Sequence, residues 1–499
     1  MANPIKKLLG QTAIYGLTVI IGRALNFLMV PLYVSVFKDP KDYGLVSILY
    51  SWVAFLIVLL PLGMETAFFK FFSDKKEDEK TVFNTAFTTV TVFNLFFFIL
   101  LLIFAQNIAN WMLIPDYPGF VRLLGAIVCI DAICAIPLAK LRAHNKAKTF
   151  ATAQITNIFV NIVFNLILLL FFFDNTRPEQ GVAYILIANL LASLTKFLFV
   201  YKDLLGWRLR FNMDLTKQML IYAIPLVIAG FAGIINETID RILLQRVTFD
   251  TLMSQQPITE IAAQEMAARE VGIYSACYKL AVLVTLFLQA YRYAAEPFFF
   301  GNAQNQERNK LYSKVMNYLI AAISAVFLLV ALNLQLFKYF IPNEAYWEGL
   351  SVVPILLMAN VFLAIYYNQS IWYKLSGQTK FGAYIAIGGA IITISLNFLL
   401  IPYFGFKACA WATFIVYGVQ MIASYILGQK YYPIKYNLRK FGLYFGGAVM
   451  TFLFVKWLNI SDGWLQFFVH NVCILLYLGM IIFMEKPSKK MEEPVVRKF

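Results

Sequence analysis

Four polar residues lie together inside an apolar part of the chain, in the segment GIINETIDRILLQ at 233–245. They are Asn236, Glu237, Asp240 and Arg241. At helical spacings of three and four residues, Glu237, Asp240 and Arg241 fall on one face of a helix. A pair between Glu237 and Arg241 would neutralise two charges and leave Asp240 unexplained. An excess carboxylate in a water-filled cavity can bind a proton or a sodium ion, so we predict all four residues as candidates for ion coupling.

Single charged residues interrupt other apolar stretches. Arg23 and Asp131 each lie near the middle of one, and Lys279 and Arg292 lie in a third. A charge at the bilayer centre costs about 2.5–3.5 kcal/mol on insertion scales, so each must face a cavity or a partner. We predict that Arg23, Lys279 and Arg292 bind an anion, because their groups match phosphate oxygens. The alternative for Lys279 and Arg292 is that their side chains extend to a membrane interface. The alternative for Arg23 is an ion pair with Asp131, which is otherwise a further candidate for ion coupling.

Other polar residues have a structural interpretation at least as strong as a functional one. Glu65 and Glu296 are expected near the ends of their helices, where a carboxylate reaches water, and they are weaker candidates. Asn157, Asn161 and Asn165 recur every four residues and so share a helix face. Such a stripe usually makes hydrogen bonds to neighbouring helices, but it also suits a cavity that binds sugar. We include Asn161 and Asn165 among the predicted cavity residues.

The sequence offers no catalytic centre. Its two histidines, His144 and His470, are far apart, and its five cysteines lie in apolar stretches at spacings that fit neither a metal site nor a disulfide framework. No Ser-His-Asp set is plausible, and the phosphate-binding pattern GxxxxGK[ST] is absent from the sequence. We therefore expect no enzymatic activity, no metal and no cofactor.

The elements that position the polar residues must be transmembrane helices. Of 499 residues, 61% are hydrophobic and only 14% are charged, with a mean hydropathy of +0.70, which is typical of an integral membrane protein. Each crossing needs about 20 apolar residues. We predict an all-α polytopic fold with about fourteen helices, at 10–36, 43–72, 81–106, 119–139, 150–173, 181–201, 216–245, 271–297, 312–333, 351–373, 380–402, 406–427, 440–457 and 463–484.

The basic residues set the orientation. Most Lys and Arg of the connecting segments fall on the inner side if the N-terminus is placed in the cytoplasm, so we predict that both termini are cytoplasmic. The formal net charge of +15 follows from this asymmetry and does not require nucleic acid as a partner. The longest outer loop, 246–270, contains the segment ITEIAAQEMAARE, which has a helical composition.

The chain also repeats itself. The segment DYGLVSILYSW at 42–52 aligns with EVGIYSACYKL at 270–280. This alignment matches Gly44, Ser47 and Tyr50 with Gly272, Ser275 and Tyr278. A second alignment, at a nearly equal offset, relates the fifth predicted helix to the eleventh and matches Asn165 with Asn397.

Both alignments skip six helices, and an even number returns the chain to the same side of the membrane. We therefore predict two parallel six-helix repeats related by an axis along the membrane normal. The repeats are placed at 1–210 and 211–430, and two additional helices with a cytoplasmic tail at 431–499. In repeats of this kind the substrate site lies at the interface between the two bundles.

Several motifs resemble those of known flippases. In TKFGAYIAIGGAIITISLNFLLIPYFGFKACAWATFIVYG, 379–418, a helix of small residues is followed by LN, LLIP and FG and then by an AxAT-type helix. The start, GRALNFLMVPLYVSVFKDPKDYGLVSI, places an Arg in the first helix and YG at the entry to the second. The chain thus resembles the polysaccharide transporter (oligosaccharide or O-antigen flippase) family of the multidrug/oligosaccharidyl-lipid/polysaccharide exporter superfamily.

The resemblance implies a V-shaped, two-lobed bundle in the bacterial cytoplasmic membrane. Such a protein would move undecaprenyl-diphosphate-linked oligosaccharide, for O-antigen, capsule or exopolysaccharide, by alternating access with cation coupling. In lipid II flippases the arginine of helix 1 lies in the cavity, and Arg23 has that position. Expected partners are the lipid-linked oligosaccharide, membrane lipid and polysaccharide polymerase or assembly proteins, and the chain is expected to be a monomer. The alternatives are a cation-coupled multidrug exporter, a lipid II flippase, a scaffold without transport and a membrane glycosyltransferase.

Overall fold

The computed structural model describes residues 16, 18, 20–74, 76–207, 212–460 and 463–485. These residues are almost entirely helical, and no β-strand occurs among them. The main helices are α1 (Ile20–Val36), α2 (Pro40–Asp74), α3 (Glu79–Ile103), α4 (Pro118–Ala143), α5 (Ala147–Phe172), α6 (Pro178–Thr195 and Phe197–Leu205), α7 (Met213–Gln255), α8 (Glu260–Gly301), α9 (Arg308–Leu332), α10 (Glu344–Leu375), α11 (Lys380–Phe404), α12 (Phe406–Tyr431), α13 (Leu438–Leu458) and α14 (Gly463–Glu485). Short helices Ala105–Trp111 and Leu334–Phe337 connect some of them.

The predicted polytopic all-α fold is confirmed. Within the described residues, twelve helices are long and apolar enough to cross a membrane, and thirteen are if the two segments of α6, bent by 47°, form one span. The shorter helix α1 is also apolar. The first predicted span, 10–36, lies partly outside the described residues, and its second part is helical from Ile20 to Val36.

The outer loop predicted at 246–270 is much shorter in the structure, whereas its segment ITEIAAQEMAARE is helical from Glu260 onward, as predicted. Helix α7 continues to Gln255, and α8 already begins at Glu260, so only a short connection separates them. Two local causes extend α8: its first turns are rich in Ala, Glu and Gln, which favour helix, and the Thr259 side chain caps the N-terminus by accepting from the Ala262 N–H at 3.3 Å. Both helices therefore extend well past their apolar cores.

Helix α2 is broken in the middle. Its segments Pro40–Leu59 and Met64–Asp74 are joined by Leu62 and Gly63, which have φ of 55° and 64°. A Cβ atom on Gly63 would lie 3.0 Å from Val227 and 3.1 Å from Ala223, so the break allows α2 to approach α7 closely.

Following the predicted division, we call α1–α6 the N-lobe and α7–α12 the C-lobe; α13 and α14 pack outside α9. Helices α2, α4, α8 and α10 all finish at the same end of the bundle, which we call the terminal end. The opposite end is called the far end. The terminal end is the one predicted to be cytoplasmic. The division of the chain at 210 and 430 stays a prediction.

The two lobes are joined tightly at the far end. Helices α2 and α8 cross there, and Lys41 Nζ lies 2.7 Å from Glu265 Oε1. The Tyr346 hydroxyl donates to the Phe37 carbonyl oxygen at 3.1 Å, and Asn343 Nδ2 donates to the Lys38 carbonyl oxygen at 2.8 Å. The seam between the lobes is therefore closed at its far end.

Candidate functional site

A cavity of about 470 Å³ lies between the two lobes. Helices α1, α2, α5 and α6 of the N-lobe line one wall, and α7 and α8 of the C-lobe line the other. Of the residues predicted as a site from the sequence, those that line the cavity are Arg23, Asn161, Glu237, Arg241 and Lys279. The structure thus brings together basic, acidic and amide side chains from helices that are distant in the sequence.

Three of the lining residues are cations, and they differ in how they are held. The Arg23 side chain is exposed to the cavity, and its guanidinium donates to the side-chain oxygen of Gln289 in α8 when that amide is oriented with its oxygen toward Arg23. Lys279 makes no hydrogen bond or ion pair with any residue that the structure describes. Arg241, by contrast, is bound on several sides.

The partner of Arg241 is Asp240, its neighbour in sequence. Asp240 Oδ1 accepts from the Arg241 backbone N–H and from Nη1, each at 2.9 Å, and Oδ2 accepts from the Tyr274 hydroxyl at 2.6 Å. Asp240 is 4% exposed and does not line the cavity. The interpretation that Asp240 is the carboxylate least explained by pairing is therefore wrong: it is the carboxylate whose oxygens are best satisfied.

Glu237 is the carboxylate that faces the cavity. Its side chain is exposed there, and it forms no ion pair with a described residue. Only its backbone oxygen contacts Arg241, accepting from Nη1 at 2.9 Å. The pair expected between Glu237 and Arg241 is thus replaced by the pair between Asp240 and Arg241, and Glu237 remains available to a ligand or an ion.

The predicted asparagines divide into two groups. Asn161 lines the cavity, whereas Asn165 is buried behind it and donates to the Asn161 backbone and side-chain oxygens at 2.7 and 2.9 Å. Asn236 lies in a helix contact, where its Nδ2 donates to the Ala386 carbonyl oxygen at 2.9 Å and its Oδ1 accepts from Thr393 at 3.0 Å. Asn165 Oδ1 also accepts from the Tyr33 hydroxyl of α1 at 3.2 Å, so Asn165 and Asn236 both join helices.

Asp131 is not the partner of Arg23. Its Oδ1 lies 2.7 Å from Lys196 Nζ, and both side chains are largely buried between α4 and α6 of the N-lobe. Neither residue lines the cavity. The pair accounts for both intramembrane charges without a ligand.

The remaining predicted residues lie away from the cavity lining, in the part of each lobe near the terminal end. Arg292 lies over the ring of Tyr367, with 4.2 Å between the guanidinium carbon and the ring centroid. Glu65 pairs with Arg142, from α2 to α4 of the N-lobe. Glu296 pairs with Lys374, from α8 to α10 of the C-lobe. The two pairs connect corresponding helices of the predicted repeat.

The sequence interpretation missed most of the neutral polar lining. The lining also contains Ser47 and Ser275, and Tyr50 and Tyr278, which are the matched positions of the repeat alignment. Tyr50 accepts from Asn189 Nδ2 at 2.8 Å. Identity between the two halves at polar positions was the available signal, because both halves contribute the same face to the interface.

The lining therefore contains three cations, one carboxylate, and many amides, hydroxyls and tyrosine rings. Guanidinium and ammonium groups bind phosphate oxygens, and amides, hydroxyls and aromatic rings are the usual partners of sugars. The Asp240 carboxylate, which is paired with Arg241, compensates part of the positive charge of Arg241. Arg23 and Lys279 are left as cations without a carboxylate partner among the described residues, so the cavity suits an anionic, polar ligand.

This fold and this cavity define a multi-pass all-α membrane protein with a polar cavity between its helices. The chain belongs to the polysaccharide biosynthesis protein family, whose pattern matches residues 8–302. The predicted family is confirmed by this match. No curated protein matches the sequence at a significant level.

Solved transporters share the fold at low sequence identity. The lipid II flippase MurJ in an inward closed conformation has a TM-score of 0.71 and 12% identity, covering 94% of this chain and 98% of that one. An inward-facing multidrug resistance MATE family transporter of the MOP superfamily has a TM-score of 0.61 and 15% identity, with 84% and 94% covered. A MOP superfamily transporter from Pyrococcus furiosus, described as having a binding pocket of reverse polarity, has a TM-score of 0.52 and 16% identity, with 87% and 96% covered.

Proposed function

We propose that the protein is a flippase for undecaprenyl-diphosphate-linked oligosaccharide. It would move an O-antigen, capsule or exopolysaccharide unit across the bacterial cytoplasmic membrane by alternating access of the cavity. The observation that carries this proposal is the cavity between the lobes, in which Arg23, Arg241 and Lys279 supply positive charge and the remaining lining is polar. Family membership supports it independently.

The chemistry of the cavity divides the substrate into three parts. The diphosphate would be bound by Arg23, Lys279 and Arg241, from both lobes, since charge-assisted hydrogen bonds to phosphate are strong. Arg292 does not line the cavity; its guanidinium lies over the Tyr367 ring in the C-lobe, so we leave it out of the proposed site. The sugars would contact the amides, hydroxyls and tyrosines. The polyprenyl chain needs no polar contact and would remain in lipid.

Coupling to a cation would involve Glu237. It is the carboxylate of the cavity, and a carboxylate near a cationic ligand site can exchange a proton or sodium ion when the ligand anion arrives or leaves. The other predicted coupling residues are engaged elsewhere: Asp131 with Lys196, Asp240 with Arg241, and Asn236 with the neighbouring helix. Glu237 is therefore the candidate that the geometry favours.

The charge of the cavity distinguishes this proposal from the multidrug exporter. An exporter of cationic drugs would present carboxylates, whereas cations outnumber carboxylates here. The lipid II flippase alternative has the same diphosphate chemistry and differs only in the sugar. Both termini are proposed to be cytoplasmic, the chain to be a monomer, and its assembly partners to be a polysaccharide polymerase and related proteins.

The test is to delete the gene and analyse the lipid-linked saccharides of the membrane. We expect an undecaprenyl-diphosphate oligosaccharide to accumulate on the cytoplasmic leaflet, and expression of the intact protein to reverse this. Accumulation of lipid II instead would favour the lipid II flippase. Altered drug sensitivity without any accumulated lipid-linked saccharide would overturn the proposal in favour of the exporter.

A further inference from the structure

Arg241 is held differently from the other two cations of the cavity. Its Nη1 donates to Asp240 Oδ1 and to the Glu237 carbonyl oxygen, both at 2.9 Å. Its guanidinium lies over the Tyr278 ring, with 4.3 Å to the ring centroid. A long flexible side chain normally loses much rotational freedom when it binds a ligand. The contacts of Arg241 remove that freedom before a ligand arrives.

The residues that hold Arg241 are themselves fixed. Asp240 uses Oδ1 for Arg241 and Oδ2 for the Tyr274 hydroxyl, and Tyr274 is fully buried. Neither Asp240 nor Tyr274 lines the cavity. The carboxylate therefore acts on Arg241, and the tyrosine hydroxyl acts on the carboxylate.

We propose that Asp240 and Tyr274 are positioning residues. They hold the Arg241 side chain in the orientation in which it binds an anion in the cavity. The inference rests on the proposed function, in which the anion is the diphosphate of a lipid-linked saccharide. Because Nη1 is committed to the protein and Arg241 lines the cavity, we assign the Nε–Nη2 edge of the guanidinium to the ligand. This edge has the spacing to donate to two oxygens of one phosphate.

If only its charge mattered, Asp240 would weaken the binding of an anion rather than support it. Its carboxylate places negative charge beside the anion site, so neutralising it should strengthen the attraction of the cavity for a diphosphate. If its contribution is to hold Arg241 in position, the same change should weaken binding. The sign of the effect therefore separates the two roles.

The experiment uses the full-length protein in nanodiscs and measures its affinity for undecaprenyl diphosphate. We expect Asp240→Asn to weaken binding about tenfold, the effect of losing one well-placed charge-assisted hydrogen bond. Tyr274→Phe keeps the ion pair and the ring and removes only the hydroxyl donor, so it should change affinity in the same direction by a smaller factor. Unchanged or tighter binding by both variants would overturn the proposal.

A double-mutant cycle tests whether the effect passes through Arg241. Arg241→Ala should itself weaken binding, and adding Asp240→Asn to it should have almost no further effect. Two independent effects that multiply would show that Asp240 acts on the fold in general, which also contradicts the proposal. Failure of the wild-type protein to bind undecaprenyl diphosphate would overturn the proposed function together with this inference. If the wild-type protein binds undecaprenyl diphosphate but the effects of Asp240→Asn and Arg241→Ala are independent, only this inference is overturned.

Asp131→Asn is the matched control. It makes the same chemical change in another buried ion pair, with Lys196, that lies outside the cavity lining. It should lower thermal stability as Asp240→Asn does and leave the affinity for undecaprenyl diphosphate unchanged. A loss of affinity in this control equal to that in Asp240→Asn would show that loss of stability explains both, and would overturn the assignment.

Discussion

Gly44 and Gly272 contact each other across the seam between the lobes, and each makes the same contact. A Cβ atom on Gly44 would lie 1.8 Å from the Ala268 carbonyl oxygen, and one on Gly272 would lie 1.8 Å from the Pro40 carbonyl oxygen. The two glycines are also matched by the alignment of the two halves. Equivalent positions that touch each other in a symmetric way lie beside the axis that relates them, as the predicted parallel repeat requires.

The first prediction concerns this crossing. Gly44→Ala introduces a methyl group that only a shift of one helix can accommodate, because the atom in its way is backbone. We expect the far end to stay open and transport to fall at least about tenfold, although alanine favours helix by about 1 kcal/mol over glycine. Labelling of a cysteine placed at the far end of the cavity would report the opening.

The control for this variant is Gly388→Ala in α11, where an added Cβ meets no other atom within 4 Å. It gains the same helix propensity without the steric conflict, so it should transport normally. Equal loss in both variants would show that the far-end crossing is not responsible.

The second prediction concerns Arg23. Arg23→Ala removes from the cavity a cation that has no carboxylate partner among the described residues, and should reduce flipping about 10–100-fold, the worth of one charge-assisted contact, while the protein still folds. Arg23→Lys should retain part of the activity. Arg292→Ala, outside the cavity lining, is the matched control and should have a much smaller effect. Accumulation of lipid-linked saccharide in a complemented deletion strain measures all three, and full complementation by Arg23→Ala would remove Arg23 from the site.

The third prediction concerns Glu237. Glu237→Gln keeps the shape of the side chain and removes its charge and its ability to exchange a proton. We expect transport in proteoliposomes to lose its dependence on an imposed proton or sodium gradient, whereas binding of undecaprenyl diphosphate is retained or strengthened. The matched variant is Glu260→Gln, at the exposed start of α8. A gradient dependence that survives in Glu237→Gln would assign coupling to another group.

The fourth prediction concerns the pair of Asp131 and Lys196. Lys196→Met leaves the Asp131 carboxylate partly buried without a partner, and should destabilise the protein by about 2–4 kcal/mol. Adding Asp131→Leu removes the unpaired charge and should restore most of the stability. Thermal unfolding of the two variants in the same detergent measures the difference. A double variant no more stable than Lys196→Met would contradict a purely structural role for the pair.

The architecture was predictable because it depends on composition and periodicity. Apolar stretches of sufficient length can only be helices in a bilayer, and matched positions such as Tyr50 and Tyr278 are the basis of the predicted repeat. Both tyrosines line the cavity, so the alignment contained information about the site as well. The end of α7 was missed because its last turns are polar and only their helix propensity continues the helix.

The ion pairs were less predictable, for reasons of geometry. Adjacent residues of a helix normally point in different directions, so the sequence favoured Glu237 over Asp240 as the partner of Arg241. Tyr274, which holds the far oxygen of Asp240, comes from another helix and gave no sign of this role. Likewise, Lys196, at the bend of α6, pairs with Asp131 of α4, a contact between two helices that spacing does not indicate. The partner that a long flexible side chain contacts depends on the tertiary positions of the helices. The spacing of residues in the sequence does not encode these positions.

The crossing of the two glycines has a further consequence for the energy of the transport cycle. At each glycine the hydrogen in the Cβ direction points at a backbone carbonyl, a weak contact of about 0.5–1 kcal/mol. This contact excludes water by proximity and has no rotamers to reorder, so it adds little to the work of opening. That work goes instead into the polar contacts beside the glycines, the ion pair of Lys41 with Glu265 and the hydrogen bonds of Tyr346 and Asn343.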